Sequence, residues 1–149
     1  MTVVVFDTNV LLDLFVFNDF RALHLKQALI EGKLDALATP ATLEEFADVI
    51  ARPLFSLDQA QQEQIFHQWQ GLARALDDDA LLKSPWICED PDDQVFLDLA
   101  FTAKPCTLIS KDNEVLRFAN KAALEQILIT ADYTAITLKA LSRLSGDLK

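Results

Sequence analysis

Four acidic residues, Asp7, Glu45, Asp93 and Asp112, fall near places where an apolar strand-like run meets a helix or a turn. Asp7 ends Val3-Val4-Val5-Phe6, an apolar run that reads as a strand buried on both faces. Amphipathic Val10-Leu11-Leu12-Asp13-Leu14-Phe15 follows, so Asp7 lies at the carboxyl edge of a parallel sheet, where ligands bind in α/β proteins. Asp112 repeats that placement after Leu108-Ile109-Ser110. Carboxylates converging at one sheet edge repel each other, and without compensation some stay protonated. Hard divalent cations remove that repulsion and prefer oxygen ligands. Mg²⁺ or Mn²⁺ is therefore the expected cofactor, able to activate water and stabilise an in-line displacement at phosphorus.

Each acid also has a structural reading. Asp7 and Asp112 are good N-caps for the helices that follow them. Thr42-Leu43-Glu44-Glu45 reads as a capping box, with Thr42 as N-cap and Glu45 reaching back from the third helical position. Asp93 heads the stripe Asp93, Leu97, Ala100 at i, i+4 and i+7, which faces a core. Helix-dipole compensation accounts for one or two acids in a first turn, but not for Glu89, Asp90, Asp92 and Asp93 together.

The elements that must position these acids alternate between strand and helix. Strands are expected at Val3–Phe6, Leu34–Ala38, Cys106–Ile109 and Gln126–Ile129. Helices are expected at Val10–Phe15, Phe20–Glu31 (stopped by Gly32), Thr42–Ala51 (blocked by Pro53) and Asp58–Leu76. Further helices are expected from Asp92 or Asp93 to Thr102, over Asn113–Ala119 and over Asp132–Leu144. Asp77 to Pro91 reads as loop, with Asp77-Asp78-Asp79 a solvated run. Short apolar strands each followed by a helix imply a three-layer α/β/α sandwich around a parallel sheet of four to five strands. No repeat or linker divides the 149 residues, so a single domain, 1–149, is expected.

Composition narrows the function. The formal charge is −10, which opposes broad phosphate-tracking binding. No apolar run approaches a bilayer span and no basic-then-apolar leader opens the chain, so a non-membrane, cytoplasmic protein is expected. Cys88 and Cys106 match no metal or redox spacing, and His24 and His67 stand alone.

At this point the chain resembles a known family. Val3 to Leu11 looks like the opening signature of PIN-domain ribonucleases. Thr42-Leu43-Glu44-Glu45-Phe46-Ala47-Asp48-Val49-Ile50-Ala51-Arg52-Pro53 is similar to the second-acid helix of the branch described as toxins of toxin–antitoxin systems. Asp90-Pro91-Asp92-Asp93 and Ile109-Ser110-Lys111-Asp112 resemble the third and fourth acid motifs. The resemblance runs in order from residue 3 to about 116. It implies a metal-dependent endoribonuclease whose acidic site is Asp7, Glu45, Asp93 and Asp112, with Asn9, Asp90 and Ser110 accessory. Ser110 stands where Thr is more usual, and Glu89 precedes Asp90 where this branch often has a basic residue. RNA as substrate, a cognate antitoxin and a homodimer are the partners implied.

Two other classes compete. A phosphohydrolase or phosphotransferase with Asp7 as nucleophile, as in haloacid-dehalogenase-like enzymes, wants a second Asp two residues on, where Asn9 stands. A catalytically inactive PIN-like binding module need not retain all four acids. Lys111 and Arg117 are candidate phosphate contacts beside the fourth acid, with solvated surface charge the stronger reading for each. The Asp58–Leu76 helix carries the stripe Ile65, Phe66, Trp69, Leu72 and Leu76, which serves core packing or a dimer surface.

Overall fold

In a computed structural model of the chain, residues 1–136 are described. Five parallel strands form one sheet: β1 (Thr2–Phe6), β2 (Leu34–Ala38), β3 (Arg74–Ala75), β4 (Cys106–Ile109) and β5 (Ile127–Thr130). Their spatial order is β3-β2-β1-β4-β5. The chain therefore winds outward from β1 on one side, then returns to build β4 and β5 on the other. The order reverses between β1 and β4, and in open α/β sheets the crevice outside the carboxyl ends of such a strand pair is the ligand site.

Seven helices connect the strands: α1 (Thr8–Phe15), α2 (Leu23–Ile30), α3 (Pro40–Ile50), α4 (Gln59–Leu72), α5 (Pro91–Ala103), α6 (Asn113–Leu116) and α7 (Ala119–Ala123). Alternate strand residues enter opposite cores, as a period of two requires. Val4, Phe6 and Ile109 join the layer of α1 to α4, where Trp69 packs edge-on against Phe6 at 6.2 Å and tilted against Phe15 at 5.8 Å. Val5 and Leu108 join the layer of α5 to α7 with Phe96, Leu97 and Ile127. Buried aromatic pairs of this kind add about 0.5–1.5 kcal/mol beyond their area. The α/β/α sandwich and the upper strand count expected from the sequence are both present.

Several boundaries differ from the sequence reading. The Asp58–Leu76 helix ends at Leu72, and Arg74-Ala75 pairs with Leu37 and Ala38 as a fifth strand. Two residues are too few for a period to show, so this edge strand left no sequence signal. The stripe's Trp69 is buried in the core, while Leu76 lies beyond the helix and packs on the opposite layer. The acidic run after it is more than a solvated loop: Asp78 accepts the Ala41 backbone N–H at 3.0 Å, supplying the start of α3. The expected Asn113–Ala119 helix is two short helices. Of the expected Asp132–Leu144 helix, 134–136 is helical and the part beyond 136 lies outside the described residues.

Candidate active site

The register Phe6↔Ile109 sets the site, because it brings the next residues of β1 and β4 side by side. Asp7 N–H donates to the Ile109 carbonyl at 3.1 Å, extending the ladder by one step beyond the strand. Asp7 then leaves the sheet as the N-cap of α1, its Oδ1 accepting from Val10 N at 3.0 Å. Its Oδ2 accepts a short hydrogen bond from Ser110 Oγ. Ser110, fully buried, also accepts the Asp112 N–H at 3.0 Å. One hydroxyl thus links the first and fourth acids of the sequence reading. Asp7 is 4% exposed, and that burial raises its carboxyl above the ordinary value, with Asp112 adding to the rise. The bonds from Ser110 and Val10 act in the opposite direction.

Capping is shared out among the acids in a way the sequence left open. Asp112 caps α6 through Glu114 N at 2.9 Å, and Asp90 caps α5 through Asp92 N at 2.9 Å. With Asp90 as cap, α5 starts at Pro91, before the expected Asp92 or Asp93. Asp93 is then the third helical residue, with no capping duty, above buried Leu97 and Ala100. Its carboxyl is pushed up to about 7, chiefly by burial, then by the charge and hydrogen bonding of Asp112 and the charges of Asp90 and Asp7.

Glu45 requires a correction. The capping box of α3 is formed by Thr39 and Thr42: Thr42 N donates to Thr39 Oγ1 at 3.2 Å, and Thr39 N donates to Thr42 Oγ1 at 2.9 Å. The N-cap is Thr39, three residues before the expected Thr42, and the helix begins at Pro40, because proline is favourable in a first turn. Thr42 is thus the third helical residue, and Glu45, half-buried, has no capping role. Its carboxyl is raised by burial first, then by Asp92, with Asp90 and Asp7 contributing. The structure therefore brings Asp7, Asp93 and Asp112 together at the β1–β4 crevice and sets Glu45 within the field of Asp92, Asp90 and Asp7. Asn9 is exposed on the first turn of α1, and Ser110 bridges beneath.

Three further residues escaped the sequence reading. Thr8, 8% exposed, has a buried hydroxyl with no hydrogen-bond partner. The hydroxyl faces Glu45 and favours its charged form, though it does not reach hydrogen-bonding geometry. Asp13, buried in α1, accepts from Lys111 Nζ at 2.7 Å and from Tyr133 Oη at 2.5 Å. An acid inside Leu11-Leu12-Asp13-Leu14-Phe15 was the available signal. Lys111 is thus an ion-pair partner rather than a free phosphate contact, and Arg117 pairs with Glu114 at 3.3 Å and stacks over Phe118.

The donor set fits a hard divalent cation. All the candidate atoms are oxygens, the carboxyls of Asp7, Glu45 and Asp93 are raised by burial first and by neighbouring carboxylates after it, and Thr8 leaves an orphaned oxygen beside them. Among the described residues, however, no group of three or more His, Cys, Asp or Glu side chains is closed enough to hold an ion unaided. An open arrangement suits Mg²⁺, which keeps several waters and binds through one or two carboxylates with substrate oxygens.

Residues 3–114 match the PIN domain family. The chain belongs to the PIN-domain family. PIN domains are generally nucleases, and the matched span contains Asp7, Glu45, Asp93 and Asp112. Among solved structures, this PIN chain is similar to one in the crystal structure of VapBC2 from Rickettsia felis bound to a DNA fragment from their promoter. The TM-score is 0.57 at 9% identity, covering 86% of this chain and 97% of the other, a likeness of fold. No curated protein matches the sequence. Among the described residues no helix is long and apolar enough to cross a membrane.

Proposed function

We propose that this PIN domain, spanning 1–149, is a Mg²⁺- or Mn²⁺-dependent endoribonuclease of the cytoplasm and the toxin of a toxin–antitoxin pair. The observation that carries the reading is Asp93, a carboxyl without a capping role, pushed up to about 7 by burial and then by Asp112, Asp90 and Asp7 at the β1–β4 crevice. A site that opposes ionisation of its own acids favours a cation or a proton.

Asp7, Asp93 and Asp112 would hold the ion, with Glu45 completing the site. The bound cation supplies charge neutralisation at a phosphodiester and lowers the pKa of water. The chain's own residues orient the donors. Ser110 fixes Asp7 Oδ2, α1 fixes Oδ1 through Val10 N, and α6 fixes Asp112 through Glu114 N. Glu45, raised by burial and free of capping, would accept a proton from attacking water. RNA, the antitoxin and self-association follow from the family resemblance, and the fold shared with a chain of the VapBC2–promoter DNA assembly supports a partner of that kind.

The aspartate-nucleophile reading is less well supported. Both Asp7 oxygens are engaged by Val10 N and Ser110 Oγ, and Asn9 replaces the second acid such enzymes require. Incubating metal-stripped protein with RNA plus Mn²⁺, followed by trapping for an acyl-phosphate, separates the readings. Cleaved RNA without a trapped adduct supports the nuclease. An adduct on Asp7 supports the phosphotransferase, and neither product supports a binding module.

A further inference from the structure

Behind the acidic crevice lies a second, smaller polar cluster that the proposed chemistry does not use. Asp13 sits in α1, six residues beyond Asp7, with a side chain 7% exposed. Its Oδ2 accepts both Lys111 Nζ at 2.7 Å and Tyr133 Oη at 2.5 Å. A buried carboxylate is tolerated only when paired and hydrogen-bonded, and here one oxygen takes both donors. Tyr133 is tied at its other end as well, its backbone carbonyl 2.7 Å from His24 Nε2 of α2.

The consequence lies in the chain order. Ser110, Lys111 and Asp112 form the turn between β4 and α6. Two successive residues of that turn are fastened to two carboxylates of α1's chain segment: Ser110 to Asp7 and Lys111 to Asp13. Asp112, next along, makes no hydrogen bond to α1 among the described residues and is held by the Ser110 hydroxyl and by the N-terminus of α6. Lys111 is 42% exposed at its side chain while its partner is buried, so the lysine reaches inward to the acid.

We propose that Asp13, together with Tyr133, is a positioning residue for the acidic site, acting through Lys111 to hold the Ser110–Asp112 turn so that Asp112 faces Asp93 and Asp7. This rests on the reading of those acids as a divalent-cation site. Residues one step behind metal ligands commonly change affinity or activity by about 10–100-fold when altered.

The test uses the metal alone as probe: Mn²⁺ affinity of the metal-stripped full chain, by titration calorimetry, with folding checked by circular dichroism. Asp112→Asn serves as reference. Lys111→Met and Asp13→Asn are each expected to weaken Mn²⁺ binding by about tenfold, with the double variant no weaker than either single one. Tyr133→Phe, which removes only a hydroxyl and keeps the ring, is expected to weaken it in the same direction by less. Lys111→Arg, which retains a cation for Asp13, should restore most of the affinity. Where Asp13→Asn does not fold, Lys111→Met and Tyr133→Phe decide. Mn²⁺ affinity within twofold of wild type in these variants, with Asp112→Asn strongly impaired, overturns the positioning role. So does a Lys111→Met protein with normal Mn²⁺ binding and a raised KM for RNA, which makes Lys111 a phosphate contact. An Asp112→Asn protein that binds Mn²⁺ normally overturns the cation-site reading itself and the positioning role with it.

Discussion

Ser110 donates its hydroxyl to Asp7 Oδ2 at the carboxyl ends of β4 and β1, and the bond is shielded from water on both sides. A bond to a buried charged group is worth about 1.5–3 kcal/mol, and losing it leaves the acceptor desolvated and unpaired. Ser110→Ala should therefore lower stability by about 1–3 kcal/mol and raise the Asp7 carboxyl further, reducing metal affinity. Ser110→Thr keeps the hydroxyl and should behave nearly as wild type. Denaturant melts and Mn²⁺ titration of the two variants check this, and equal behaviour of Ala and Thr would contradict it.

Glu45 is free of the α3 cap, which belongs to Thr39 and Thr42. Glu45→Gln should change stability by less than about 0.5 kcal/mol, as substitutions away from structural devices do. Thr39→Ala, by contrast, removes a cap worth about 1 kcal/mol. Turnover should show the reverse pattern, collapsing in Glu45→Gln and surviving in folded Thr39→Ala. Normal cleavage by Glu45→Gln would reduce the site to three aspartates.

The raised acids set a pH dependence for the metal-free protein. Asp93 rises from 3.8 to about 7, and Asp7 and Glu45 are raised as well. Between about pH 4 and pH 7 the folded state therefore binds more protons than the unfolded one, so stability falls as pH rises. Partial exposure and screening of Asp93 limit its share to the order of 1 kcal/mol. Denaturant midpoints in EDTA should decline across that window in wild type and decline less in Asp93→Asn. A midpoint that climbs steadily from pH 4 to pH 7 would contradict the raised carboxyls.

Divalent metal should flatten that decline. Mg²⁺ or Mn²⁺ is expected to raise the melting temperature of wild type and to do little for Asp7→Asn, Asp112→Asn, because a ligand stabilises only the state that binds it. An equal rise in both proteins would place the ions elsewhere.

Much of this was legible in the sequence because buried parallel strands are continuous apolar runs. Val3–Phe6 and Cys106–Ile109 announced themselves, and with them the junctions holding Asp7 and Asp112. What failed was a choice between two local caps and the contacts made between distant segments. Thr42-Leu43-Glu44-Glu45 fits a capping box as well as Thr39-Pro40-Ala41-Thr42 does, and only the start of α3 at Pro40 decides between them. Arg74-Ala75 is a strand by virtue of Leu37 and Ala38 beside it, a pairing between segments far apart in sequence. The Asp13–Lys111–Tyr133 cluster joins segments about a hundred residues apart, and no spacing rule reports such a meeting.

The central claim is that these carboxylates form one metal-dependent nuclease site, and Asp93 tests it most directly because it caps nothing. The measurement is RNA cleavage by metal-stripped wild type and Asp93→Asn, with and without Mn²⁺, beside melts of both proteins in EDTA. Wild type should cut only with Mn²⁺. Asp93→Asn should fail to cut while remaining as stable as wild type or slightly more so, since the amide relieves repulsion but is a poor ligand for a hard cation. An Asp93→Asn protein that is destabilised yet still cuts RNA, or a wild type that cuts equally in EDTA, would contradict the account.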